Sequence, residues 1–409
     1  MNERVYEALK DEVVSLLRDS MDLTNQQLIE LIEETMFQIC RNEPLSVLHK
    51  EQMVKKLYYS FRGLDVLQPL IDDQSITEIM VNRHDEIFIE QNGNVTRYPE
   101  KFESEQKLGD IIQSIVAKVN RIVNESSPIV DARLENGSRV NIVLPPIALK
   151  GPTMTIRKFP EKPMTMDDLM NRGALSQEIA DFLQQLVITK HNIFISGGTG
   201  SGKTTFLNAL TCFIPPDERI ITIEDCAELQ ISHLPNLVSL ETRNANTEGK
   251  GGIAIRSLIH ASLRMRPNRI IIGEVRGAEA LDMLQAMNTG HEGSISTGHS
   301  NNTKDMLSRL EMMILSGNSL PIEVIRNQIA SAVDIMIHLS RMRDHSRKVT
   351  EIHEVVGIKN HEVLLNPLFV FVEDEASTPQ KVSGKLSPTG NKLRNKLKFT
   401  IAGINAERW

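Results

Sequence analysis

No stretch of this 409-residue chain approaches the roughly 20 uninterrupted apolar residues that a membrane-spanning helix requires. The opening residues, MNERVYEALKDE, are charged where a secretory signal would carry its apolar segment, so the chain is expected to stay in the cytosol. Cysteine is scarce. Cys40, Cys212 and Cys226 lie far apart without ligand spacing, which argues against a disulfide framework and a thiolate zinc site and leaves buried or incidental reduced thiols as the expectation. Basic charge is not in excess either: 46 Lys and Arg stand against 53 Asp and Glu, for a formal net charge of -7 and a pI near 5.9. That balance argues against a dedicated non-specific nucleic-acid binder, although local basic patches stay open. Aromatic residues make up 4% of the chain, leaving few platforms on which single-stranded bases could stack. No internal repeat is apparent.

What is present is ordinary globular composition, 40% apolar and 24% charged, in a length suited to two or three domains. Residues 1–60 carry charged, helix-patterned sequence with Leu28, Leu31, Ile32 and Met36 at helical spacing, and read as a small helical module. From 62 to 160 the texture becomes short alternating runs around one helical stretch, LGDIIQSIVAKVNRIV, which makes an α+β domain. In EIFIEQNGNVTRY, Asn92-Gly93 separates two alternating segments as a hairpin turn, with Ile87 and Ile89 facing one side; RVNIVLPPI and TMTIRKF are further strands. The segment PEKPMTMDDLMNRG holds two prolines, a polar cluster and a closing glycine, so residues 161–173 read as an interdomain linker and hinge. From 174 to 409 strands alternate with helices, which implies a parallel sheet covered on both faces and ligands at the carboxyl ends of its strands. The tail from about residue 374, rich in Ser, Pro, Gly and Lys, is expected to be loosely ordered. Its basic stretch Lys381–Lys398 is read as a solvated surface, with contact to anionic lipid or a membrane subunit as the alternative.

The most informative segment is NIFISGGTGSGKTT. Gly197, Gly202, Lys203 and Thr204 satisfy the phosphate-loop spacing, between the apolar strand Ile193–Ile195 and a helix-patterned run through Phe206, Leu207 and Leu210. Glycines allow the backbone to turn its N–H groups around phosphate oxygens, and the helix start adds positive dipole. Gly197, Gly198, Thr199, Gly200, Ser201, Gly202, Lys203, Thr204 and Thr205 are therefore the nucleotide-binding set. Lys203 would reach the β- and γ-phosphates, and the Thr204 hydroxyl would join the Mg²⁺ shell. The competing reading is a glycine-rich turn with an incidental lysine.

Three clusters follow at strand ends. RIIIGEVRG places Glu274 just past a strand, with Gly273 where many phosphate-loop enzymes carry an aspartate. Glu274 is assigned to position or deprotonate the attacking water and to hold a Mg²⁺-bound water, against the alternative of a surface acid. In RIITIEDCAEL, Glu224, Asp225 and Glu228 form a tight acidic group that calls for a cation; Glu224 is taken as the second acid, while Asp225 and Glu228 are also candidates for helix caps or ion pairs. TGHEGSISTGHS carries His291 and His299, either of which could sense the γ-phosphate, and His299 is preferred; metal ligation is disfavoured because no third ligand has suitable spacing.

GGTGSGKTT, ITIEDCAELQ, IIIGEVRGAEALDMLQAMNTGHEGS and STGHS, in that order, resemble the bacterial type II/IV secretion system ATPases, a superfamily of pilus-assembly and secretion motors. DARLENGSRVNIVLPPIA, TMTIRKF and LRMRPNRIIIGEVRGAEALDMLQAMNTG are most similar to its Tad/Flp pilus assembly branch. The resemblance spans residues 62–365, and its Walker A, Asp box, Walker B and His box fall on 197–204, 219–230, 269–277 and 288–300. It implies a RecA-like ATPase domain behind a smaller α+β domain, ATP and Mg²⁺ as ligands, and a homohexameric ring. It also implies inner-membrane platform proteins of a pilus or secretion system as partners, and a cytoplasmic protein held peripherally at the inner face of the membrane. Basic residues of the upstream domain close over the nucleotide in the family, and Arg139 and Arg157 match that motif, with Arg243, Arg264 and Arg266 as further candidates. The expected function is ATP hydrolysis powering pilus assembly or secretion. The alternatives are a RecA-fold nucleic-acid motor of the helicase or conjugation type and a nucleotide-gated assembly adaptor with little turnover.

Overall fold

The computed structural model describes residues 3–18, 23–40, 46–119, 121–159, 162–243, 245 and 250–409. The chain folds as two compact units, residues 1–161 and 162–409.

In the first unit, α1 (Glu3–Arg18), α2 (Asn25–Ile39) and α3 (Val47–Arg62) bury one apolar stripe each, with Leu9, Leu28, Ile32, Met53 and Leu57 forming their common core. These helices belong to the same compact unit as the sheet that follows; Lys10 pairs with Glu103 and Lys56 with Glu100. A short turn and α4 (Gln68–Asp72) lead into β1 (Ile76–Arg83), β2 (Glu86–Gln91), β3 (Asn94–Arg97), α5 (Glu105–Lys118), β4 (Ile129–Arg133), β5 (Arg139–Val143) and β6 (Thr153–Arg157). The strands make an antiparallel sheet in the order β3-β2-β1-β6-β5-β4. Asn92 and Gly93 take φ of +53° and +80° between β2 and β3, the left-handed pair that a tight hairpin demands, and Ile87 and Ile89 are both buried.

The second unit contains α6 (Met166–Asn171), α7 (Gln177–Ile188), β7 (Ile193–Gly197), α8 (Lys203–Thr211), β8 (Ile220–Glu224), β9 (Leu237–Glu241), α9 (Ile255–Ser262), β10 (Arg269–Ile272), α10 (Glu279–Asn288) and β11 (Ile295–Gly298). After these come α11 (Thr303–Gly317), α12 (Ile322–Ala332), β12 (Ile335–Arg341), β13 (Arg347–Lys359), β14 (Glu362–Glu373), β15 (Gly384–Pro388) and α13 (Leu397–Ile401). Strands β12-β7-β11-β10-β8-β9 are parallel, and β13, β14 and β15 extend the sheet antiparallel beyond β12. Every residue of β7, β8, β10 and β11 is buried, as strands covered on both faces must be. The expected linker holds α6, capped by Thr165, while residues 160–161 of the expected hinge lie outside the described residues.

The segment after 374 departs from the expectation of loose order. It forms β15 and α13 and returns Trp409 to the core, where its ring lies 4.9 Å from that of Phe182 and its Nε1 donates to Gln185 Oε1 at 2.8 Å. Sparse apolar residues, Val382, Leu386, Leu393 and Phe399, are all buried and outweigh the polar composition that suggested disorder. Lys398, counted with the solvated basic stretch, donates instead to Asp334 at 2.7 Å and to the Lys190 carbonyl at 2.9 Å.

Candidate nucleotide site

Strand β7 sits inside the sheet between β12 and β11, so the loop that leaves its carboxyl end emerges in the middle of that edge. Gly200 and Gly202 take φ of +71° and +93°, and Gly202 immediately precedes α8. A Cβ on Gly197 would stand 2.5 Å from the Leu339 carbonyl oxygen and 2.5 Å from Ser201 Oγ, so only glycine fits there. Ser201 Oγ donates to the Gly198 carbonyl at 2.8 Å and closes the turn. Gly198, Thr199 and Gly200 are exposed at its apex, and Thr204 and Thr205 are half-buried on the first turn of α8. The Thr204 hydroxyl makes no hydrogen bond among the described residues.

Lys203 is buried, and its ammonium donates to the carbonyls of Gly197 and Gly198 at 3.1 Å each. Its third neighbour is His299, whose Nδ1 lies 3.3 Å away. Burial holds the Lys203 pKa below the usual lysine value, partly offset by Glu274. His299 follows β11 and is likewise held below the ordinary histidine value, first by burial and then by the Lys203 charge, so its ring is neutral at neutral pH.

Glu274 follows β10, and the backbone on either side of it is pinned to β11. Thr297 Oγ1 donates to the Gly273 carbonyl at 2.7 Å, and Val275 N–H donates to the Thr297 carbonyl at 3.0 Å. Glu274 Oε2 accepts from Arg276 at 2.8 Å, while Oε1 lies 2.9 Å from His299 Nε2. That approach is close enough for an ion pair if the ring protonates, but it is not aligned as a hydrogen bond. Oε1 is buried and keeps its acceptor capacity free.

Glu224 ends β8, beside β10. It is buried, and its Oε1 accepts from the backbone N–H groups of Glu228 and Leu229 at 2.9 and 3.1 Å. Burial dominates over those two bonds and pushes its pKa up to about 7. A Cβ on Gly273 would stand 2.9 Å from Glu224 Cγ, so any side chain at this position would press on the buried stem of Glu224. Asn208 of α8 accepts from Gln230 N–H at 3.0 Å and ties the acidic loop to the helix of the phosphate loop.

The parallel sheet thus gathers the loop 197–205, Glu224, Glu274 and His299 at one edge. Asp225 is exposed and lies 3.6 Å from Arg276, and Glu228 serves Glu224 through its backbone. His291 precedes β11, at the opposite end of the sheet, and its Nδ1 lies 3.2 Å from the Ala286 carbonyl. It is therefore not part of the cluster. Arg139 and Arg157 lie in the first unit directly opposite each other on β5 and β6, hence on one face of that sheet, with Asp131 3.4 Å from Arg139 and Glu78 3.9 Å from Arg157. Arg243 Nε donates to the Gly251 carbonyl at 2.7 Å, and Arg264 and Arg266 are exposed. Two contributors escaped sequence reasoning. Arg276 was signalled only by its place two residues after Glu274, and Arg347, which donates to the Gly200 carbonyl at 2.9 Å from 147 residues away, carried no local signal.

The donor set fits a nucleotide with Mg²⁺. Among the described residues no group of three or more His, Cys, Asp or Glu could hold a metal ion alone. Mg²⁺ does not need such a cage when phosphates and water complete its shell. Thr204 would be its protein ligand and Glu274 would act through a bound water. Among the described residues no helix is long and apolar enough to cross a membrane.

A model of the family described as "Type II/IV secretion system protein" matches residues 61–385. A putative conjugal transfer protein of Mycobacterium tuberculosis is 35% identical over 307 residues, 73% of this chain and 86% of that protein. The type IV secretion system protein VirB11 of Brucella suis is 33% identical over 320 residues, 72% of this chain and 89% of its own. The crystal structure of the pilus retraction motor PilT with bound ADP shares the fold, with a TM-score of 0.52 at 17% identity over 83% of this chain and 87% of that one. With most of its length matched, and with its phosphate loop, acids and histidine at one sheet edge, the chain belongs to the type II/IV secretion system ATPase family.

Proposed function

We propose that this protein hydrolyses ATP and turns the free energy into motion that drives pilus assembly or protein secretion through a membrane-embedded platform. The observation that carries the reading is the run from Lys203 through His299 to Glu274 and Arg276 at the mouth of the phosphate loop. The loop would hold the phosphates on backbone N–H groups and Lys203. Mg²⁺, held through Thr204, would supply electrostatic neutralisation of the phosphate oxygens. Glu274 Oε1, buried and free to accept, would orient the attacking water and draw its proton. His299, neutral between Lys203 and Glu274, would report whether phosphate occupies the loop, since any shift of Lys203 changes the field at its ring. Glu224 would act as the second acid; a carboxyl with a pKa of about 7 can carry or release a proton near neutrality. Arg139 and Arg157 would stabilise charge on the transferring phosphoryl group.

The working form is a homohexamer, peripheral at the inner face of the membrane, with platform proteins as partners. The stretches of sequence around Arg139, Arg157 and Arg264 support placement in the Tad/Flp pilus assembly branch. The name of the mycobacterial relative favours a second reading, a conjugation machine or its nucleic-acid motor. Isolation of the tagged chain with its membrane partner from native cells separates the two. A pilus platform protein supports the first, whereas a conjugation channel together with strong stimulation of turnover by DNA supports the second.

A further inference from the structure

The hairpin between β12 and β13 carries Arg341, Arg343 and Arg347 within seven residues, and it hangs beside the phosphate loop because β12 pairs with β7 through Leu339 opposite Gly197. Like charges this close repel unless each finds a partner. Arg343 has one: its two terminal nitrogens donate to the Glu373 carboxylate oxygens at 2.7 Å each, and Nε donates to the Thr378 carbonyl at 3.0 Å. Arg341 and Arg347 face each other across the hairpin, and neither has a carboxylate within ion-pair distance among the described residues. Both turn toward the loop. Arg347 Nε donates to the Gly200 carbonyl at 2.9 Å, and its Cδ lies 3.4 Å from where a Cβ on Gly202 would stand. Arg341 Nη1 lies 3.8 Å from the corresponding position on Gly200, and its other terminal nitrogen is 3.2 Å from His345 Nδ1.

The hairpin is braced. Met342 N–H donates to the Ser346 carbonyl at 2.7 Å, and Asp344 accepts from Ser346 N–H at 3.0 Å and from Val382 N–H at 2.7 Å. Two guanidinium groups without acidic partners among the described residues are thus held by a braced hairpin over the apex of a loop shaped to receive an anion.

We propose that this hairpin forms a cationic wall of the nucleotide site, in which Arg347 is a positioning residue for the phosphate loop and Arg341 binds the phosphate chain of the nucleotide directly. The bond from Arg347 restrains the loop between its two left-handed glycines, at the peptide group whose Ser201 N–H closes the turn onto the Gly198 carbonyl at 3.3 Å. Arg341 adds a planar, always charged donor suited to phosphate oxygens. This inference rests on the nucleotide reading of the loop.

The test is ADP binding to the purified full-length chain with Mg²⁺, alongside steady-state ATP turnover. Arg341→Ala and Arg347→Ala are each expected to raise the Kd for ADP about tenfold, as loss of a charge-assisted contact does, and to raise KM while kcat stays within about threefold. Arg341→Lys restores part of the affinity, and Arg341→Ala also flattens the dependence of binding on salt. Arg343→Ala, on the same hairpin but engaged with Glu373, leaves the Kd within about twofold of wild type. Unchanged affinity in both Arg341→Ala and Arg347→Ala, or equal weakening in Arg343→Ala, overturns the proposal. A wild-type chain that takes up no ADP overturns the nucleotide reading itself, and the role of the hairpin with it.

Discussion

His299 Nε2 stands 2.9 Å from Glu274 Oε1 while the Nδ1 edge of the same ring stands 3.3 Å from Lys203 Nζ. One imidazole therefore touches both the cation of the phosphate loop and the acid assigned to water, and its Nε2 is itself 3.5 Å from Lys203 Nζ. Burial and the Lys203 charge both disfavour a proton on it, so the ring charges only below its ordinary value of 6.5. The acid limb of ATP turnover is expected below that value, because protonation would pair His299 with Glu274 and remove the free acceptor. A pH–rate profile checks this: a limb at or above 6.5 that disappears in His299→Gln would show that the ring is not held neutral. His299→Ala should lower kcat by about ten- to a hundredfold.

Glu224 gives a pH signature of the opposite kind in stability. Its pKa in the folded protein is about 7 against an ordinary 4.5, so the folded state binds more protons between those values. The contribution of the protonated carboxyl is fully present below 4.5 and is lost as pH rises through about 7. The shift corresponds to about 3 kcal/mol by linkage. Glu224→Gln cannot ionise, so its melting temperature should gain on wild type as pH is raised across that window. A constant difference in thermal melts would show that Glu224 titrates normally.

Gly273 lacks a Cβ because Glu224 Cγ occupies the space, at 2.9 Å. Gly273→Ala is expected to cost about 1–3 kcal/mol, since the stem of a buried side chain cannot swing aside as its tip could. Turnover should fall as well, because the displaced strand end carries Glu274. Denaturant unfolding with paired kinetics reads both effects.

Trp409 tests the seating of the carboxyl-terminal segment. It is 7% exposed, packed against Phe182 with the two rings tilted by 47°, and hydrogen-bonded to Gln185. Trp409→Ala should destabilise by about 3–5 kcal/mol, and Trp409→Phe by much less. Unchanged thermal stability in Trp409→Ala would mean that the segment is dispensable to the core.

Much of the site was legible because its parts are local. Glycine spacing, the lysine and the preceding apolar strand encode the loop, and a carboxylate just after a buried strand announces its edge of the sheet. Asn92-Gly93 was readable for the same reason: two adjacent residues determine the turn. What could not be read depended on distant contacts. His291 and His299 look alike in sequence, and only the direction of β11 places one at the edge that carries the phosphate loop and the other at the far edge. Arg347 reaches Gly200 through pairing of β12 with β7, a non-local relation that no window along the chain displays. The carboxyl-terminal segment was misread because composition averages over its few buried apolar residues, and burial depends on those residues individually.

Lys203 and Glu274 are the residues proposed to make this fold an ATP hydrolase. Phosphate release by the purified full-length protein, with and without Mg²⁺, tests it most directly. Turnover is expected to depend on Mg²⁺ and to be abolished, along with nucleotide binding, in Lys203→Ala. Glu274→Gln should instead retain ADP affinity while kcat falls by about a hundredfold or more, the mark of a group acting on the attacking water. Undiminished turnover in both variants, or turnover indifferent to Mg²⁺, would contradict it.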